Sequence, residues 1–166
     1  MRRLLKFLHT IGAIGFMGGI ASLLVLMGFA PSPSSLADYA LFYSAMAGIA
    51  TWIVYPSLVI TLIAGLLAIA ANPAFYNAGW VGAKLATGVL IFEGGLVYVQ
   101  GPIQEEARRS AAALAGDLDA AAITGFAGAE RNTLWLMLVV ATANVALGVW
   151  RPRFTRSPAK RRSEPA

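Results

Sequence analysis

The chain has 166 residues, of which 58% are hydrophobic and 13% charged, with a mean hydropathy of +0.67. A soluble domain carries charge on about a quarter of its residues, so this is membrane composition, and the net charge of +5 reads as topology and not as a nucleic-acid footprint. With no cysteine and one histidine, the chain excludes disulfides and thiolate metal sites, and a single copy cannot offer two imidazoles to a metal.

Taken in order, an apolar segment from Leu4 to Phe29 follows Arg2, Arg3 and Lys6. Ser35-Leu36-Ala37 has the small-x-small form of a signal-peptidase site, but the apolar run exceeds the roughly 7–15 residues of a signal core. His9 and four glycines also interrupt it, and it is read as the first transmembrane helix. Ala30 to Asp38 is loop by composition. The second span runs from Tyr43 to Ala71, long enough to tilt or bend, with Pro56 as the bend and Thr51 one turn earlier. The Asn72–Asn77 turn then makes spans two and three antiparallel neighbours.

The third span is Trp80 to Gln100, closed by Gly101-Pro102. The polar, alanine-rich stretch from Gln104 to Arg131 is predicted to be a helical loop, with Glu105 and Glu106 placed to pair with Arg108 and Arg109 and Gly116 as its stop. Asn132 is the predicted N-cap of a fourth span ending at Trp150. Residues 153–166 read as a basic, disordered tail on a membrane domain of residues 1–152. Three basic residues precede the first span and six follow the last, while the first loop has none. By the positive-inside rule both termini are cytoplasmic and the Gln104–Arg131 loop is periplasmic, in the inner membrane of a bacterium.

The residues that break the apolar pattern are the candidate site. Lys84 and Glu93 are nine residues apart, about 13 Å along a helix and on opposite faces, so they cannot pair. Lys84, one turn past Trp80, reads with it as an interfacial anchor. Glu93 lies past the midpoint of the span, where a carboxylate costs about 3 kcal/mol to insert. Gln100 is seven residues on, and Gly94 and Gly95 thin the helix beside it, so the carboxyl is expected to be buried among other helices. Gly12, Gly15, Gly18 and Gly19 bare one side of the first helix for a close helix contact. His9, one turn away, is either a hydrogen-bonded interfacial histidine or one axial ligand of haem or copper. Asn144 reads as interhelical glue, and Trp52 and Tyr55 as core or cavity residues beside Pro56.

The segments KFLHTIGAIGFMGG, ATWIVYPSLVITLIAGLLAI, NAGWVGAKLATGVLIFEGGL and NVALGVWRPRF together resemble a bacterial family of four-span inner-membrane proteins of unknown function. More weakly, the opening L-H-x-x-G-A resembles the first helix of copper-resistance membrane proteins and of the membrane protoporphyrinogen oxidase, which implies a metal or haem role for His9.

The reading is therefore all-α, a four-helix transmembrane bundle. Its expected function is a non-enzymatic membrane component that packs with itself or with a partner membrane protein in the bilayer, with Glu93 buried. A proton-coupled permease using Glu93, and a haem- or copper-binding redox component using His9, are the alternatives.

Overall fold

In the computed structural model, residues 1–73, 79–123 and 128–150 are described, and every regular element among them is helical. Helix α1 is Arg2–Met27. Helices α2 (Leu36–Ile49) and α3 (Tyr55–Ala70) are joined by a π-helical turn, Ala50–Val54, into one rod from Leu36 to Ala70. Helices α4 (Gly79–Gly95) and α5 (Gly101–Ala115) are joined in the same way by Leu96–Gln100 into a rod from Gly79 to Ala115. Helix α6 is Gly128–Trp150. These four rods are each long and apolar enough to cross a membrane.

The two π turns have one cause. Proline has no N–H and its ring collides with the carbonyl four residues back, which an uninterrupted α-helix cannot accommodate. In each rod the residue before the proline bonds five residues back instead of four, Tyr55 N–H to the Ala50 carbonyl ahead of Pro56 and Gly101 N–H to the Leu96 carbonyl ahead of Pro102. The extra residue opens the helix and lets it run on. Gly101-Pro102 therefore does not close the third span as the sequence suggested; the helix continues to Ala115. Gly116, at φ +86°, ends it in the left-handed region, with the Asp117 N–H returning to the Ala112 carbonyl.

Other boundaries also shift. The second rod begins at Leu36, seven residues before the expected start, with Ser35 at its N-cap position donating to the Asp38 carboxylate at 2.5 Å. Asn132 is not an N-cap, since α6 starts four residues earlier. Trp52, 80% exposed, and Tyr55 face outward and line no cavity. The expected basic tail and most of the Asn72–Asn77 turn lie outside the described residues.

The rods of 35 and 37 residues are about 53 and 56 Å long, against a hydrocarbon core of about 30 Å. They exceed the bundle at one end, where α2 packs on α5. That paired extension has its own small core of Tyr39, Tyr43, Ala113 and Ile123, latched by a Tyr39 hydroxyl donating to Glu106 at 2.8 Å. At the other end α1, α3, α4 and α6 form a ring in which α1 touches α3 and α6, and α4 touches the same two.

The α1–α3 contact is the closest in the ring. A Cβ on Gly12 would stand 2.5 Å from Thr61 Oγ1 and 2.8 Å from the Ser57 carbonyl; one on Gly19 would stand 2.7 Å from Val54 Cγ2. Gly15 is covered by the Ser57 hydroxyl. Gly18, by contrast, faces open space. Gly12→Ala is accordingly expected to destabilise the protein by about 1–3 kcal/mol, and Gly18→Ala to leave it unchanged or up to about 1 kcal/mol more stable. Unfolding in mixed micelles measures both, and equal effects would contradict this seam.

Candidate functional site

The seam positions His9. One turn before Gly12, its ring packs on Gly65, with Cε1 and Nδ1 each 3.2 Å from where a Cβ would stand, and Nδ1 donates to the Thr61 carbonyl at 2.8 Å. With a carbonyl as its partner, Nδ1 is the ring nitrogen that carries the proton of this bond. Among the described residues no group of three His, Cys, Asp or Glu side chains comes together to hold a metal. His9 thus stands as one imidazole in a hydrogen-bonded setting.

Around it, the ring of α1, α3, α4 and α6 encloses a cavity of about 510 Å³. It opens at the end where α1 begins. Arg2, Arg3 and Lys6 surround the mouth, joined by Lys84 from α4. Polar groups in the wall are few, His9, Thr61, Asn72 and Asn144 among them, and Phe16, Leu58, Ile91 and Ala141 form an apolar floor. Space remains because the wall positions are small: Ala13, Gly65, Gly88 and Gly148.

Lys84, expected with Trp80 as an interfacial anchor, lines this mouth, with Nζ 2.7 Å from where a Cβ on Gly148 would stand. Among the described residues no carboxylate lies within ion-pair distance of it. One turn deeper, Thr87 donates to Asn144 Oδ1 at 2.8 Å and ties α4 to α6.

Glu93 lies elsewhere. The expected burial is not found: its side chain is exposed on the outside of α4, and no hydrogen bond or ion pair with another described residue reaches it. The reason is the glycine pair beside it. Gly94 receives Met137 Cε and Gly95 receives Leu58 Cδ2, so both glycines face inward and turn Glu93 out. It joins an exposed stripe with Ala86, Val89, Leu90 and Val97, spaced three and four apart. Gln100, seven residues on, is half-buried, because the intervening π turn shifts the helical phase. Gly12, Gly15 and Gly19 of α1 are likewise spent inside the chain, on Ser57, Thr61 and Val54.

Sequence reasoning missed the partners of those glycines. Ser57, Thr61 and Gly65 recur every four residues and form a small-residue stripe on α3 that matches the stripe on α1. That spacing is present in the sequence directly after Pro56. Gly88 and Gly148, which leave room in the cavity, sat singly in apolar sequence and carried no such pattern.

Four spanning helices, an apolar exterior and polar side chains tied in pairs inside the ring define an integral multi-span membrane protein. The model of the family described as predicted integral membrane protein (DUF2269) matches residues 3–152, nearly the whole described chain, and the protein belongs to that family. Neither a curated protein nor a solved structure matches it.

A double-mutant cycle of Thr87→Val and Asn144→Leu should return a coupling of about 0.6 kcal/mol and no more than about 1.7 kcal/mol, the range of interhelical hydrogen bonds in bilayers. Additive single effects would show that the pair does not bind α4 to α6.

Proposed function

We propose that the protein is a non-catalytic component of the bacterial inner membrane, with both termini cytoplasmic, that holds another membrane protein through the outer face of α4. The observation that carries this reading is Glu93. It lies 13 residues past Trp80, about 20 Å into a hydrocarbon core of about 30 Å, on an exposed stripe of Ala86, Val89, Leu90 and Val97. A carboxyl left in lipid at that depth is disfavoured by about 3 kcal/mol, which a spanning helix with a lysine, arginine or amide donor at the same level would offset.

The partner is a different protein, by charge. The described basic residues of this chain lie at the ends of the helices, in α5, or, for Lys84, in the cavity mouth, so a second copy brings no cation to meet Glu93. A permease working through Glu93 has less support, since Glu93 does not line the cavity. A haem or copper role for His9 rests on one imidazole with no cluster of further ligands among the described residues.

The test is a photo-crosslinking residue at Leu90, 65% exposed, compared with one at Val139 on α6, 61% exposed, in native membranes. One discrete adduct at position 90, reduced several-fold by Glu93→Leu, is the expected result. Equal labelling at both positions, or an adduct of twice the chain's mass, overturns the reading. In the purified protein Glu93→Leu should leave stability unchanged or raise it by up to about 3 kcal/mol, whereas a buried, bonded carboxyl would make the same change destabilising.

A further inference from the structure

We infer that the cavity among α1, α3, α4 and α6 is a binding site for a single-chain lipid anion, a long-chain fatty acid, with its carboxylate at the basic mouth and its tail in the shaft. This goes beyond the α4 contact and does not depend on it. Charge is the first ground. Four cationic side chains, Arg2, Arg3, Lys6 and Lys84, line the mouth, and among the described residues no aspartate or glutamate lines the cavity. A carboxylate there gains charge-assisted hydrogen bonds without meeting a like charge.

Shape is the second. From Lys6 at the mouth to Phe16 at the floor is ten residues of α1, about 15 Å, which equals half of a hydrocarbon core of about 30 Å. The shaft therefore has the length of one leaflet's acyl chain. Its volume of about 510 Å³ falls within the roughly 300–1,000 Å³ of small-molecule sites and is too small for a two-tailed phospholipid with its headgroup. The wall is apolar over most of its depth, as a tail requires, and its few polar groups include two already engaged with each other, the His9 ring and the Thr61 carbonyl.

Lys84 distinguishes this site from a general basic surface. Arg2, Arg3 and Lys6 are exposed, as expected of cytoplasmic-flank residues, but Lys84 is half-buried and set a full turn inside α4. Its ammonium is placed to meet an acidic group that enters the cavity.

The test uses a long-chain fatty acid with a diazirine near its tail end and the full chain in zwitterionic vesicles, with labelled residues mapped by peptide mass. Label should fall on cavity residues such as Phe16, Leu58 and Ile91, unlabelled acid should compete, and its methyl ester should compete at least about tenfold less well. Lys84→Gln should weaken labelling by about tenfold and Lys84→Arg should retain it. Gly88→Leu fills the shaft where a Cβ meets no atom within 4 Å, and should abolish labelling without lowering the unfolding temperature. If Gly88→Leu does not fold, the Lys84 pair and the ester decide. Label spread equally over lipid-facing residues such as Val139, equal competition by the ester, or unchanged labelling in Lys84→Gln or in a folded Gly88→Leu protein would overturn the assignment. Displacement by phosphatidylglycerol in the vesicles as effective as by the free acid would overturn it too, by making the occupant a bilayer headgroup.

Discussion

The close approach of α1 to α3 is the constraint on which the inner bundle depends. Lipid tails are as apolar as leucine, so burial of hydrocarbon does not drive spanning helices together, and they associate through packing and hydrogen bonds. Gly12, Gly15 and Gly19 let α1 settle on Ser57, Thr61 and Val54 at distances that leave no room for a side chain. The same approach brings His9 over Gly65 and within hydrogen-bond reach of the Thr61 carbonyl. With α1 held there, large side chains such as Ile20, Leu23 and Met46 fill the axis of the bundle further along. Nearer the start of α1 the axis is bordered by Ala13, Gly65, Gly88 and Gly148, which cannot fill it. The cavity is the complement of the seam.

Three polar pairs join one helix to another. Thr87 meets Asn144, the His9 ring meets the Thr61 carbonyl, and Gln104 donates to Thr51 at the level where two rods leave the bundle. Each pair joins different helices and helps to fix how the rods meet, the first two part-buried and the third exposed. Glu93, exposed on the outside of α4, has no such bond with another described residue.

The sequence made the architecture legible and the helical phase much less so. Four apolar runs separated by proline, asparagine and polar stretches are enough to count the spans, because hydrocarbon thickness sets their length. Which face a residue takes depends on about 100° per position, and one local decision reverses it. At Gly94-Gly95 the glycines could equally have marked the face of Glu93 or the face next to it; contact with Met137 and Leu58 chose the latter. Lys84 was ambiguous for the same reason, since a flexible stem reaches headgroups from outside a bundle or from within it. Asn144 and the glycines of α1 were legible as packing residues, but their partners Thr87, Ser57 and Thr61 look like ordinary span residues until the helices are set side by side.

The π turns ahead of Pro56 and Pro102 lie on neighbouring rods and touch one another. Each acts as a phase break. On one side of it the rods pack within the ring with α1 and α6; on the other they pack mainly on each other, where Tyr39 meets Glu106, with Met46 and Ile103 still reaching the main core. A residue gained or lost in the outer halves rotates what lies beyond it and leaves the inner ring undisturbed. The two ends of one continuous helix can therefore diverge in evolution as if they were separate modules.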